Sequence, residues 1–307
     1  MVVRIMKVVY FMKRDDLIAN YQAAQRVRGG LSEVNDLGIH DLRAMPVFFD
    51  WVDCSIEDKK FVMFQAGADD GVALKFFWNG HYESYSLRLW ARLACKDAKL
   101  KLDIGAHTGA YSLAALASGA TNVVSFEPHA ANFSRLIVNF RANGFSLGQA
   151  LMLAVGEREE WSTFHLPTGL DYLSTGGSLL PRKTGLKFPI QTVSLDRFLG
   201  EANHSNVSVM KVDVEGMEIS VLRGAESILE RSKPIIFFEC IEENSGSMVE
   251  SFLVARGFQF FLLDDAWAAL SKVRQVRPER NADGSLNMSR LNRLAVPAGF
   301  DDSLLVI

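Results

Sequence analysis

Cysteine is scarce in this 307-residue sequence: Cys54, Cys95 and Cys240 stand far apart and odd in number. With no Cys-x-x-Cys pair, neither a disulfide framework nor a zinc site is indicated, and a reducing cytoplasm is the natural setting. The six histidines, at 40, 81, 107, 129, 165 and 204, show no metal-ligand spacing. No block of like charge stands out and the net charge is -3. No global positive field therefore draws the chain to nucleic acid or to an anionic membrane. Long apolar runs are missing too. Arg4, Lys7, Lys13 and Arg14 interrupt the apolar patches near the start, and none reaches signal-peptide or membrane-spanning length. A soluble, cytoplasmic protein without nucleic-acid or membrane partners is expected. Nothing in the sequence speaks to its oligomeric state.

Hydrophobic residues make up 49% of the chain, enough for a large core in one domain, or in one domain plus a smaller unit. Periodicity predicts helices over 15–28 and 50–60, with a break at Gly29-Gly30. A hairpin is expected from Phe61–Gln65 and Val72–Trp78 around the Asp69-Asp70-Gly71 turn, then a helix over 84–95. From residue 100 the pattern alternates. Strands are expected near 100, 122, 150–156, 207–213, 235–240 and 258–263, and helices from 110 and over 129–143, 217–231 and 247–256. Two β-like stretches, 162–166 and 188–193, flank a Gly176-Gly177 turn, and 272–290 reads as a polar surface loop. Alternating β and α with apolar strands implies a parallel sheet covered on both faces.

The most informative segment runs from Leu100 to Gly109. It reads as a buried strand entering a small-residue turn, Gly105-Ala106-His107-Thr108-Gly109, before a helix. Glycines there permit a tight turn and close approach of a ligand. The next apolar run ends in Glu127, 18 residues beyond Gly109. Such a unit binds a nucleoside, and the acid accepts hydrogen bonds from ribose hydroxyls. A dinucleotide fold needs G-x-G-x-x-G so that bare backbone can approach a pyrophosphate. Here His107 occupies the middle position, which favours a cofactor without phosphate, such as S-adenosylmethionine. A tight turn that binds nothing is the bland alternative.

Four blocks taken together resemble the FkbM family of class I methyltransferases: Leu102–Gly109, Phe126–Phe133, Lys211-Val212-Asp213-Val214-Glu215-Gly216, and Lys233–Glu239. His107 departs from the Asn usual in that family. The resemblance implies a Rossmann-like α/β sheet, mostly parallel, whose last strand, Leu291–Pro297, is antiparallel. It divides the chain into an N-terminal α/β extension, 1–95, expected to help cap the site, and a methyltransferase domain, 96–307. The implied cofactor is S-adenosylmethionine, with S-adenosylhomocysteine as product. The implied reaction is O-methylation of a small-molecule natural product or a sugar hydroxyl.

The expected cofactor contacts are Glu83, Asp103, Gly105, Ala106, His107, Thr108, Gly109, Glu127, Pro128, His129 and Asp213. Asp103 would support the turn and the methionine end, and Glu83 would meet the cofactor's amino group. An exposed acid before a helix is an equally good reading of Glu83. Pro128 cannot continue a strand ladder, so the chain turns where adenosine would lie. Alternation sets residues 211, 213 and 215 on one side if the chain stays extended, and charges on a central strand are costly unless paired or functional. Asp213 and Glu215 are therefore the candidate general bases. Lys211 reads as a structural partner of a carboxylate, with Glu239 on the adjacent strand as one candidate and Asp213 or Glu215 as the structural alternative to a base. A Mg²⁺ site from Asp213, Glu215 and Glu239 is the less favoured reading, and no metal is predicted. Two other classes compete: an NAD-dependent oxidoreductase, and a non-catalytic cofactor-binding protein on the same fold.

Overall fold

The computed structural model describes residues 14–30, 37–167, 173 and 176–305. Two helices, α1 (Arg14–Gly30) and α2 (Ile39–Ala44), lead into an antiparallel hairpin of β1 (Phe48–Ile56) and β2 (Lys59–Gly67). This hairpin replaces the helix expected over 50–60. Val52, Cys54 and Ile56 point inward while Trp51, Asp53 and Ser55 point outward, the period of two that a strand imposes.

The hairpin expected between 61–65 and 72–78 does not form. Its second half is a helix, α3 (Gly71–Asn79). Asp70 marks the start of that helix rather than a turn. Its Oδ1 accepts from the backbone N–H groups of Val72 at 2.9 Å and Ala73 at 3.2 Å, donors that a helix start leaves unpaired. Phe76, Phe77 and Trp78 are buried core residues. Helix α4 (Ser84–Ala94) follows.

Next come β3 (Leu100–Ile104), α5 (Ala110–Ala117), β4 (Val123–Phe126) and α6 (Ala130–Ala142). The strand expected over 150–156 is split in two, β5 (Ala150–Leu151) and β6 (Ala154–Val155). They are followed by β7 (Glu160–Leu166), β8 (Leu186–Val193), α7 (Leu195–Leu199) and β9 (Val207–Val212). The helix expected over 217–231 is two, α8 (Glu218–Arg223) and α9 (Glu226–Arg231), with Gly224 between them. A Cβ there would lie 2.0 Å from the carbonyl oxygen of Gly156, so close backbone packing sets the break. Last are β10 (Ile235–Glu239), α10 (Glu243–Val254), β11 (Phe258–Asp264), β12 (Ala269–Val273) and β13 (Asn292–Pro297). Strand β12 thus begins before the polar stretch and extends into it.

Among the described residues the main sheet has the order β12-β11-β13-β10-β9-β3-β4-β5. The five strands β5, β4, β3, β9 and β10 are parallel. β13 is antiparallel to both β10 and β11, as expected for the last strand of a class I methyltransferase fold. Strand order reverses between β3 and β9, and a ligand crevice opens at such a point beyond the carboxyl ends of the strands. A smaller sheet, β6-β8-β7, stands beside that crevice. No helix among the described residues is long and apolar enough to cross a membrane.

One face of the main sheet packs with α4, α5 and the N-terminal hairpin in a single hydrophobic cluster. The other face packs on α8, α9 and α10. Polar ties fasten the hairpin to α6. Asn139 Oδ1 accepts from Phe64 N–H at 2.9 Å, and Arg135 pairs with Asp69 at 2.8 Å. Trp90 on α4 is fully buried, donates its indole N–H to the Tyr111 carbonyl at 2.9 Å, and meets Phe237 edge-on at 5.7 Å. Trp90→Ala should therefore cost about 3–5 kcal/mol of stability, read by urea unfolding. A loss below about 1 kcal/mol, the range of surface substitutions, would show that α4 and the sheet do not share a core.

Candidate active site

A cavity of about 400 Å³ opens at the switch point between β3 and β9, within the size range of small-molecule sites. Its floor is the turn after β3. Gly105 has φ +81°, and a Cβ there would sit 1.7 Å from the backbone oxygen of Asp213. The glycine is needed first so that the exits of β3 and β9 can touch. Any side chain at 105 would disturb the fold as well as a ligand. Gly109, at φ +100°, would press a Cβ to 2.4 Å from Leu136. Its bareness serves the packing of α5 on α6.

Gly105, Ala106, His107, Glu127, Pro128, Asp213, Glu215 and Glu83 all line this cavity, whereas Asp103, Thr108, Gly109 and His129 do not. Asp103 is fully buried behind the turn, where its Oδ2 accepts from Ser112 Oγ at 2.6 Å. Thr108 is fully buried as well. His129 contributes its backbone N–H, and its ring stacks on Phe188 with centroids 6.0 Å apart. The cavity also takes in residues that the motifs did not mark, among them Lys75, Tyr82, Asn132, Leu153 and Ala154. Asn132 lies in the first turn of α6, four residues after Pro128, and that proximity was the available signal.

Glu127 is held by its neighbours. Its Oε2 accepts from His107 N–H and its Oε1 from His129 N–H, each at 2.8 Å. Asn132 Nδ2 also donates to Oε1, at 3.4 Å, so among the described residues Oε2 keeps the further lone pair. Burial pushes this carboxyl up to about 7, against the pull of those two N–H groups. His107 has φ +51°, and its buried Nε2 has no hydrogen-bond partner among the described residues. Burial also lowers the pKa of that ring, so it is neutral near pH 7.

β9 ends at Val212, so the alternation that would set 211, 213 and 215 on one side stops short of Glu215. That residue turns with φ +55°, yet it is still brought to the cavity. Lys211 pairs with Asp213, Nζ to Oδ2 at 2.7 Å, rather than with Glu239. The ammonium also lies 4.5 Å from the Tyr111 ring centroid. Burial alone would discharge Lys211, but Asp213, Asp103 and Glu83 outweigh it and hold the charge.

Above this pair, Asp213, Glu215 and Glu239 each offer an oxygen, all within 4.8 Å of one another. Burial and then the negative charge of Asp213 push Glu215 up to about 8. The same causes, with Glu215 and Glu83 added, push Glu239 well up. Such a trio accepts protons, a divalent cation or the positive end of a ligand. No histidine or cysteine joins it among the described residues.

The opposite wall comes from the N-terminal region and the smaller sheet. Glu83 Oε2 accepts from Tyr111 Oη at 2.5 Å and from Asn292 Nδ2 at 2.9 Å. Ser178 Oγ donates to the Glu215 carbonyl at 2.9 Å, which docks the segment after β7 onto the loop leaving β9. Phe164, Leu179, Leu286, Met288 and Leu291 give that side an apolar lining.

The family profile described as the methyltransferase FkbM domain matches residues 103–260, just over half of the chain. The hexuronic acid methyltransferase AglP of Haloferax volcanii is 31% identical over 131 residues, which cover 42% of this chain and 50% of that protein. Among solved structures, the methyltransferase FkbM from Methylobacillus flagellatus is similar at 16% identity and a TM-score of 0.42, over 92% of this chain and 60% of that one. A SAM-dependent methyltransferase from Agrobacterium tumefaciens gives 11% identity and a TM-score of 0.40, over 81% and 70%. The chain thus spans about half the length of the curated relative it matches. Both the glycine turn after β3 and the acids leaving β9 and β10 fall within the matched residues, and the chain belongs to the FkbM methyltransferase family.

Proposed function

We propose that this methyltransferase takes its methyl group from S-adenosylmethionine and transfers it to a hydroxyl of a sugar or small natural product. The observation that carries this reading is the carboxyl-rich lining of the cavity, whose raised acids ionise more readily beside a positive ligand than beside an anionic one. Glu83, Glu127, Asp213, Glu215 and Glu239 line the cavity, against Lys75 and Lys211. S-adenosylmethionine brings a sulfonium and an ammonium to a single carboxylate, so its net positive charge suits an acidic site. A dinucleotide would bring a pyrophosphate into an excess of carboxylates and be repelled.

In this reading Glu127 receives the ribose hydroxyls, and adenine lies between Asn132 and the Leu153–Val155 segment. The methionine end crosses the Gly105–His107 turn. The described residues before 96 form the extension that covers the site. Alignment of donor and acceptor supplies much of the rate, because the sulfonium is already activated. The acceptor oxygen attacks the methyl carbon, the carbon–sulfur bond breaks, and S-adenosylhomocysteine leaves. The hydroxyl proton passes to a carboxylate. Asp213 and Glu215 are the candidates. Asp213 is committed to Lys211, while Glu215 has no ion-pair partner among the described residues and is the freer of the two. A sugar acceptor agrees with the activity named for the Haloferax volcanii relative. The apolar lining around Leu179 and Met288 suits the C–H face of a sugar ring.

Calorimetry tests the cofactor. The protein should bind S-adenosylhomocysteine and not NAD, and Glu127→Ala should lose about 1.5–3 kcal/mol of that affinity. Binding of NAD alone would overturn the reading. For the base, single-turnover transfer should fall by ~10²–10⁴-fold in Glu215→Gln or Asp213→Asn, more than cofactor affinity does. Unchanged turnover in both variants would remove the carboxylates from the chemistry and favour a non-catalytic or purely structural role.

Stability should follow pH with a definite sign. The folded carboxyls of Glu127 and Glu215 lie at about 7 and about 8, against ordinary values of 4.5. Between those limits the folded state holds more protons than the unfolded one. Stability must therefore fall as pH rises from about 4.5 to about 8. The melting temperature of the ligand-free protein should drop over that window, and Glu215→Gln should flatten the slope. A slope unchanged by that substitution would show that Glu215 is not strained by its neighbours.

A further inference from the structure

Two tryptophans are strongly exposed among the described residues, Trp161 at 75% and Trp267 at 79%. A lone exposed apolar side chain is ordinary, and Trp161, on β7, adds nothing to the cavity lining. Trp267 is placed differently. It lies in the turn between β11 and β12, and Asp265 in that turn donates its N–H to the Ser289 carbonyl at 2.9 Å. Ser289 follows Met288, which lines the cavity and is itself 64% exposed. Met288 therefore stands at the mouth, and Trp267 stands beyond it on the turn bonded to the same segment.

The turn is fixed on three sides. Asp264 Oδ1 accepts from the N–H groups of Ala266 at 3.1 Å and Trp267 at 3.2 Å, and its Oδ2 accepts from Arg290 Nε at 2.7 Å. The Asp265 carboxylate accepts from the N–H and the hydroxyl of Ser86, each at 2.8 Å, which ties the turn to the start of α4. An aromatic side chain on a backbone held this way has less entropy to lose when a ligand lands on it.

We infer that Trp267 and Met288 form a platform for the second ring of a saccharide acceptor, so that the substrate is an oligosaccharide whose terminal sugar alone enters the cavity. This rests on the sugar reading of the acceptor given above, and adds its length and the residues that read it. At about 400 Å³ the cavity is near the lower end of the range of small-molecule sites, and it has to hold the cofactor and the reacting ring together. Whatever follows that ring lies over the mouth. The face of an indole is negative, and the C–H face of a sugar ring is apolar and slightly positive, so the two stack. Sugar hydroxyls point outward from such a stack, toward polar neighbours of Met288 such as Asn287 and Arg290. A lipid chain or a protein partner needs a broader apolar patch than two side chains flanked by polar residues.

The test is an array of mono-, di- and trisaccharides, neutral and acidic, probed with the protein with and without S-adenosylhomocysteine. At least one oligosaccharide should bind more tightly than its terminal monosaccharide. Trp267→Ala should weaken that oligosaccharide by roughly 5- to 30-fold, the span from a contributing to a dominant contact in alanine scans. It should leave the monosaccharide and the melting temperature unchanged. Trp267→Phe should keep part of the gain, and Trp161→Ala should change nothing. Full oligosaccharide affinity in Trp267→Ala would overturn the inference, as would equal losses in Trp267→Ala and Trp161→Ala. So would an unmodified protein that prefers no oligosaccharide to its terminal ring. A dimer in sedimentation that Trp267→Ala dissolves would give the surface to a second copy of the chain and also overturn it. Binding of no sugar at all would instead overturn the sugar reading on which the inference stands.

Discussion

A single buried ammonium keeps the acidic end of this site together. Lys211 is 5% exposed on a central strand. It is paired to Asp213 at 2.7 Å and lies against the ring of Tyr111. The charge of Asp103 also acts on it; that residue is fully buried, with one carboxylate oxygen lacking a hydrogen bond among the described residues. Glu83, Glu215 and Glu239 line the same cavity as the lysine. Remove the lysine and Asp103 and Asp213 lose their nearest positive charge, a loss worth several kcal/mol when the partner is buried. Even with it, the carboxylates outnumber the cations, and Glu215 and Glu239 are driven toward their protonated forms. A positive ligand would favour their ionised forms, which links the packing of the sheet to the choice of cofactor.

Backbone geometry delivers these side chains. The exits of β3 and β9 touch so closely that Gly105 cannot carry a Cβ. That contact brings the glycine turn, Glu127 and the acids after β9 to one crevice. Both sheet faces are covered, one by α8, α9 and α10 and the other by a core shared with the N-terminal hairpin and α4. The hairpin is also bound to α6 through Asn139, Asn143 and Arg135. The extension and the sheet therefore support one another, and Tyr82 and Glu83 reach the cavity from the link between α3 and α4.

Much of the site was legible in the sequence because strand-end chemistry is local. Gly105, Glu127 and Asp213 each follow an apolar run that could only be a buried strand, and topology carries such ends to one place. Elements decided by a competition between local signals were less legible. Asp69-Asp70-Gly71 reads equally as a hairpin turn or as a helix start, and the unpaired N–H groups of Val72 and Ala73 decided for the helix. In β1, Phe49 and Trp51 point outward, so its alternation is not one of apolar against polar residues. Lys75 was invisible for the same reason, since within a supposed strand of aromatic residues it had no claim on the cavity. Alternation along one strand and adjacency across strands offered Lys211 more than one carboxylate, and the side chain bends along its own chain to Asp213 rather than across to Glu239.

A crystal structure of the protein grown with S-adenosylhomocysteine tests the central claim most directly. The account predicts the ribose hydroxyls within hydrogen-bond distance of Glu127 and the sulfur above the Gly105–His107 turn, on the side of Asp213 and Glu215. Nucleoside density bound elsewhere, or a ribose turned away from Glu127, would contradict it.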